Sequence, residues 1–213
     1  ALREDTVLVS MMLVNNETGC VFPVEEVAQL LKARGSRALL HCDAVQGFLK
    51  IPCDPVRWGV DLMSLSAHKI GGPKGIGALY VAPRLKNLRP LLPGGGQERG
   101  LRSGTEPVFL AAGFARAIEL AQAEHEDTLA HVRALNAQIR AQLARLVPSA
   151  IINSPEDASP FIVSVSVPGL RNAKSVAYLS DRGVYVSRAS ACESNHEHVA
   201  AGTWRKKHSL SLQ

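Results

Sequence analysis

The chain has 213 residues, 46% of them hydrophobic and 20% charged, with a formal net charge of +5 and 5% aromatic side chains. That composition supports a sizeable buried core and argues against a disordered chain, and no apolar run reaches the roughly 18 residues of a bilayer-spanning helix. The basic residues are dispersed except for Arg205-Lys206-Lys207, and the scarcity of aromatics argues against a stacking platform for single-stranded nucleic acid; neither nucleic acid nor membrane is expected as a partner.

In chain order, Thr6 to Val14 is a continuous apolar run, the pattern of a strand buried on both faces. Asn15-Asn16-Glu17-Thr18-Gly19 breaks it as a loop. Pro23 followed by Glu25 and Glu26 marks a helix start with acids in the first turn, and Gly35 its end. A second strand, Arg37 to His41, delivers Asp43 just past its C-terminal end, where open α/β sheets place ligands. Asp61 to Leu65, Gly77 to Ala82 and Leu88 to Leu92 read as three further strands. Alternation of strand and helix signals predicts a three-layer α/β sheet over residues 1–123. Beyond Glu106, helical spacing runs through Leu110, Phe114, Ile118 and Ala121. After the polar stretch Gln122 to Asp127 it resumes at Leu129 and reaches Leu146, giving two consecutive helices or one bent one. A strand over Phe161 to Val167, a helix over Asn172 to Asp181 and a short strand over Val184 to Ser187 complete a smaller α+β domain, 124–213.

Two segments carry chemistry. Lys69 lies in Ser66-Ala67-His68-Lys69-Ile70-Gly71-Gly72-Pro73, directly after an apolar strand and before a glycine-rich turn, a poor setting for an ordinary solvated lysine. Asp43 closes the apolar run of Leu39-Leu40-His41-Cys42-Asp43-Ala44-Val45-Gln46; alone it would pass for a helix cap, and Gln46 for a surface residue. An amine that exchanges with a substrate amine and an acid that keeps a pyridine nitrogen protonated are what a pyridoxal phosphate site requires. Ser66 and His68 offer a hydroxyl and an imidazole N–H suited to a phosphate. Gly94-Gly95-Gly96 and Arg102-Ser103-Gly104-Thr105 supply backbone N–H groups that can approach an anion. Of the four cysteines, Cys20, Cys42 and Cys53 have apolar neighbours and read as packing. Cys192, in Ser190-Ala191-Cys192-Glu193-Ser194, sits in small, polar company and is the candidate nucleophile. No pair of cysteines has metal-ligand spacing, so no metal is expected, and a reducing, cytoplasmic setting fits the thiols. No signal or transit pattern is visible.

Asn15 to Gly19, His41 to Gln46, Ser66 to Lys69, Gly94 to Glu98, Arg102 to Thr105 and Ser190 to Cys192 occur in the order and spacing of the cysteine desulfurases of the NifS/IscS kind. The chain resembles that family, whose members are class-V, fold-type I pyridoxal phosphate enzymes related to selenocysteine lyases. The resemblance implies that Lys69 binds the cofactor covalently and moves the Cα proton, that Asp43 bonds the pyridine nitrogen and Gln46 the ring hydroxyl. It places the phosphate against Ser66 and His68, with Thr105 reaching it from the second subunit of a homodimer, and Asn15 near ring and substrate. Cys192 would take sulfur from L-cysteine, leave L-alanine, and pass the sulfur as a persulfide to an acceptor protein serving iron–sulfur assembly or thiolation.

Two departures qualify this picture. Family members carry a further N-terminal stretch with phosphate-binding and ring-stacking residues, and a C-terminal arginine that grips the substrate carboxylate. From about residue 194 this chain runs instead through Trp204-Arg205-Lys206-Lys207-His208. The chain therefore reads as a fragment of a desulfurase, with selenocysteine lyase as the rival activity and a non-catalytic dimerisation module as the rival of another class.

Overall fold

The structure, a computed structural model, describes residues 2–170, 172–187 and 209–212. Its residues divide into two units, one formed by Ala1–Leu13 with Pro23–Glu124, the other by Val14–Phe22 with His125–Gln213.

In the first unit, strands β1 (Leu8–Met12), β2 (Leu39–Asp43), β3 (Leu62–Ser66) and β4 (Gly77–Val81) lie side by side in that order. The first two pairings are parallel and the third is antiparallel. Parallel neighbours need crossover connections, supplied by helix α1 (Val24–Ala33) and the single-turn helix α2 (Pro55–Trp58). Asp54 caps α2 by accepting hydrogen bonds from the Val56 and Arg57 N–H groups, and Gly59, at φ 76°, ends it. Side chains alternate along β2: Leu40 and Cys42 are buried, while His41 and Asp43 are half-buried on the opposite face. Met63, Val60, Ala44 and Ala67 complete this core.

Helix α3 (Val108–Ala123) gives way to α4 (His125–Leu146) at Glu124, so the polar stretch separates two helices. In the second unit, β5 (Ile151–Ile152), β6 (Val163–Ser166) and β7 (Ser209–Leu212) form an antiparallel sheet, with helix α5 (Asn172–Ser180) between β6 and β7 in sequence.

Three expectations about elements fail. Leu88–Leu92 is not a strand: Pro90 lacks a ladder donor, and only an isolated bridge joins Leu92 to Arg102. Val184–Val186 is not a strand either, because the Val184 N–H closes α5 by donating to the Leu179 carbonyl around Gly183, at φ 76°. The run from Thr6 to Val14 forms a shorter strand at the edge of the described sheet, with Val7 and Leu8 exposed and Val14 bridged to Val21.

Candidate active site

Register places Asp43 opposite Ser64 at the C-terminal ends of β2 and β3. Asp43 is the last residue of its strand, and its carboxylate Oδ1 accepts from the Val45 N–H at 3.0 Å. Its second oxygen has no hydrogen-bond partner among the described residues. On the same face, His41 joins three strands: its Nδ1 lies 2.8 Å from the Ser10 hydroxyl and its Nε2 2.9 Å from that of Ser64. The chain then winds through a tight turn in which the Phe48 N–H donates to the Ala44 carbonyl and the Ile51 N–H to that of Gly47. This turn buries Gln46 to 7% exposure, and its side-chain amide makes no hydrogen bond among the described residues. Its amide atoms are not among the fully buried atoms that lack a partner, so they stay open to water and to a ligand.

Lys69 stands on a 3₁₀ turn, Ala67–Ile70, that follows β3 and ends at Gly71 in the left-handed region, φ 80°. The Gly72 N–H donates to the Ala67 carbonyl at 2.9 Å, and a Cβ at Gly72 would lie 2.9 Å from that same oxygen. Only glycine fits such an approach. Lys69 is half-buried and has no carboxylate within ion-pair distance among the described residues. Its charge is felt by Lys50, in the turn after Gln46: burial, and then repulsion from Lys69, lower the Lys50 amine to about 8. The Ser66 hydroxyl and the His68 Nδ1 are 2.7 Å apart, leaving His68 Nε2 for another partner.

The glycine-rich loop after Pro93 is exposed and contains two consecutive non-glycine residues in the left-handed region, Glu98 and Arg99, at φ 49° and 58°. The Glu98 N–H donates to the Glu106 carboxylate, and the Ser103 N–H to the Leu92 carbonyl. Thr105 follows, exposed.

Asn15 belongs to the second unit. Its Oδ1 accepts three hydrogen bonds, from the N–H groups of Glu17 at 3.0 Å and Thr18 at 2.8 Å and from the Thr18 hydroxyl at 3.0 Å. The side-chain carbonyl is thus consumed by its own turn, and only Nδ2 remains to face a ligand. Cys192 lies outside the described residues. Burial, with smaller contributions from Cys53 and Asp43, pushes the Cys42 thiol up to about 12; burial and Asp54 push Cys53 to about 11.

Structure thus joins Asp43, Gln46, Ser66, His68 and Lys69 in one unit, around the ends of two adjacent parallel strands. An acceptor with a vacant oxygen, an available amide, an amine without an ion pair and a hydroxyl–imidazole pair match the ring nitrogen, ring hydroxyl, aldehyde carbon and phosphate of pyridoxal phosphate; the residues present fit that group. Sequence reasoning missed His41 and Lys50. The polar residue two before Asp43 on one strand face was the available sign for His41; nothing local marked Lys50. A cleft of about 940 Å³ lies at the opposite end of the sheet, lined by Arg37, Val60, Asp61 and Ala82, away from this constellation.

The family model described as "Aminotransferase class-V" matches residues 1–209, and the chain belongs to that family. Cysteine desulfurases are among the chain's relatives. The mitosomal enzyme of Encephalitozoon cuniculi is 42% identical over 196 residues, which cover 91% of this chain and 44% of that protein. The cysteine desulfurase IscS of Anaeromyxobacter sp. is 44% identical over 203 residues, covering 91% and 48%. The solved structure of a NifS-like protein superposes with a TM-score of 0.88 at 39% identity, over 99% of this chain and 56% of its own. The chain is homologous to cysteine desulfurases and spans about half the length of these relatives.

Proposed function

We propose that the chain is the lysine-bearing portion of a pyridoxal phosphate-dependent cysteine desulfurase, converting L-cysteine to L-alanine and carrying the sulfur on Cys192. The observation that carries this reading is the grouping, in one unit, of the Asp43 oxygen left vacant, the Gln46 amide and the Lys69 amine after the ends of β2 and β3. Pyridoxal phosphate, when bound, supplies an electron sink for the pair left on Cα. Asp43 would accept from the ring N–H with the oxygen that Val45 leaves vacant. Gln46 would complete its amide on the ring hydroxyl, and Ser66 with His68 would hold the phosphate. Lys69 would bind the cofactor carbon and, once released by substrate, move the Cα proton with its Nζ. Asn15 would offer its two Nδ2 N–H donors to ring or substrate, and Thr105 would serve a second subunit's phosphate. Cys192, as thiolate, would take the substrate sulfur as a persulfide and yield it to an acceptor protein. Raised thiol values keep Cys42 and Cys53 protonated at neutral pH, which disfavours them as nucleophiles.

Borohydride reduction of the cofactor-loaded protein, followed by peptide mapping, tests the assignment. The pyridoxyl adduct is expected on Lys69. An adduct on Lys50, whose lowered value makes it the strongest competitor, would overturn it. In a full-length form, Cys192→Ser is expected to keep the visible absorbance of bound cofactor and abolish persulfide formation. Undiminished turnover in that variant would leave selenocysteine lyase as the better reading.

A further inference from the structure

We propose that Arg140 is a positioning residue for Asn15, an inference that rests on Asn15 facing ring or substrate as proposed above. Asn136 and Arg140 are one helical turn apart on α4 and face the same loop. Arg140 spends its guanidinium on three oxygens: Nε on the Asn136 Oδ1 at 2.7 Å, Nη1 on the Ser154 carbonyl at 3.1 Å, and Nη2 on the Pro155 carbonyl at 3.0 Å. Asn136 in turn donates from Nδ2 to the Pro160 carbonyl at 2.8 Å. The loop of residues 154–160 is therefore clamped to the helix at both ends.

That loop holds the Asn15 turn. The Ser159 N–H donates to the Gly19 carbonyl at 2.8 Å, and the Gly19 N–H donates to the Asn15 carbonyl at 3.0 Å. Gly19, at φ 74°, is pressed against Ile162 so closely that a Cβ would sit 3.1 Å from the Ile162 Cβ. With Asn15 Oδ1 locked by Glu17 and Thr18, the direction of its Nδ2 is set by the turn, and the turn is set by the loop that Arg140 clamps. All of these contacts lie within one unit. Arg140 has no carboxylate partner among the described residues, so its fork is spent on carbonyl geometry that a lysine ammonium reproduces only in part.

The test combines amide exchange with a double-mutant cycle. In Arg140→Gln, exchange at the Glu17, Thr18 and Gly19 amides is expected to quicken about tenfold, the loss of roughly one hydrogen bond's worth of protection, while β2 and β3 amides stay unchanged. Arg140→Lys is expected to fall between Gln and the parent. Asn136→Ala, which leaves two Arg140 bonds in place, provides a milder variant if Gln fails to fold. In a full-length, cofactor-loaded form, Arg140→Gln is expected to raise KM for cysteine more than it lowers kcat, and to add nothing further once Asn15 is alanine. Unchanged exchange at Glu17–Gly19 in the folded variants, or kinetic effects of Arg140→Gln and Asn15→Ala that simply add, would overturn the inference. Quickened exchange with Asn15→Ala kinetically silent would instead count against the role given to Asn15, leaving the clamp itself standing.

Discussion

Gln46 offers an amide that no described residue engages. The residue is 7% exposed, yet its amide atoms are not among the fully buried ones without a partner, so they keep access to water. If the site is built for a ring hydroxyl, replacing Gln46 with methionine, of similar volume, should leave the ligand-free protein's stability within about 1.5 kcal/mol and weaken pyridoxal phosphate binding. Thermal unfolding and cofactor titration of the same variant check both halves; a variant less stable and equally able to bind would show that the amide serves packing instead. The cysteines yield a second expectation at this scale. With the Cys42 thiol at about 12 and that of Cys53 at about 11, alkylation by iodoacetamide at neutral pH should leave both unmodified in the folded chain, and peptide mapping reads this directly.

At the scale of elements, the hairpin that presents Lys69 depends on its glycines unequally. A Cβ on Gly77 would lie 2.6 Å from the Leu65 carbonyl across the β3–β4 ladder, whereas one on Gly71 meets nothing and suffers only the positive φ. Gly77→Ala should therefore cost about 1–3 kcal/mol and Gly71→Ala about 1 kcal/mol, an order that denaturant midpoints resolve. The foot of β3 is fixed differently. Asp61, 1% exposed, accepts from the Leu40 N–H at 2.9 Å and pairs with Arg84 at 2.6 Å. Removing the carboxylate leaves a buried N–H open, while removing Arg84 leaves a buried charge. Much of this was legible in the sequence, because Lys69, Asp43 and α1 are announced by local patterns: an apolar run, then a glycine turn or an acid-rich first turn. Leu88–Leu92 and Val184–Val186 were misread for one shared reason. Apolar composition suggests a strand, but a strand exists only where its N–H groups find a neighbouring chain; Pro90 has none to give, and Val184 had already given its own to α5. The Ser10–His41–Ser64 row was illegible because it depends on register between strands far apart in sequence.

For the molecule as a whole, Asn15 belongs to one unit and Asp43 and Lys69 to the other. No periodicity in the sequence signals that Val14–Phe22 leaves the first unit and returns at Pro23. The titration behaviour of the first unit gives a prediction for global stability. Lys50 is lowered from 10.5 to about 8, by burial and then by Lys69, so the folded state resists its charge. Below pH 8 that penalty is present in full. Between about 8 and 10.5 the folded state has released the proton that the unfolded chain still binds, so stability rises with pH through this window. Cys42 and Cys53 act in the opposite sense: unfolded thiols ionise near 9.0 while the folded ones wait until about 12 and 11, so stability falls above pH 9. The two trends together place a stability maximum close to pH 9. Chemical denaturation across pH 7–11 should show it, with Lys50→Met flattening the rising limb and Cys42→Ala shortening the falling one. A Lys50→Met protein that keeps the parent's full rise between pH 8 and 9 would show that the lysine amine is not the group responsible.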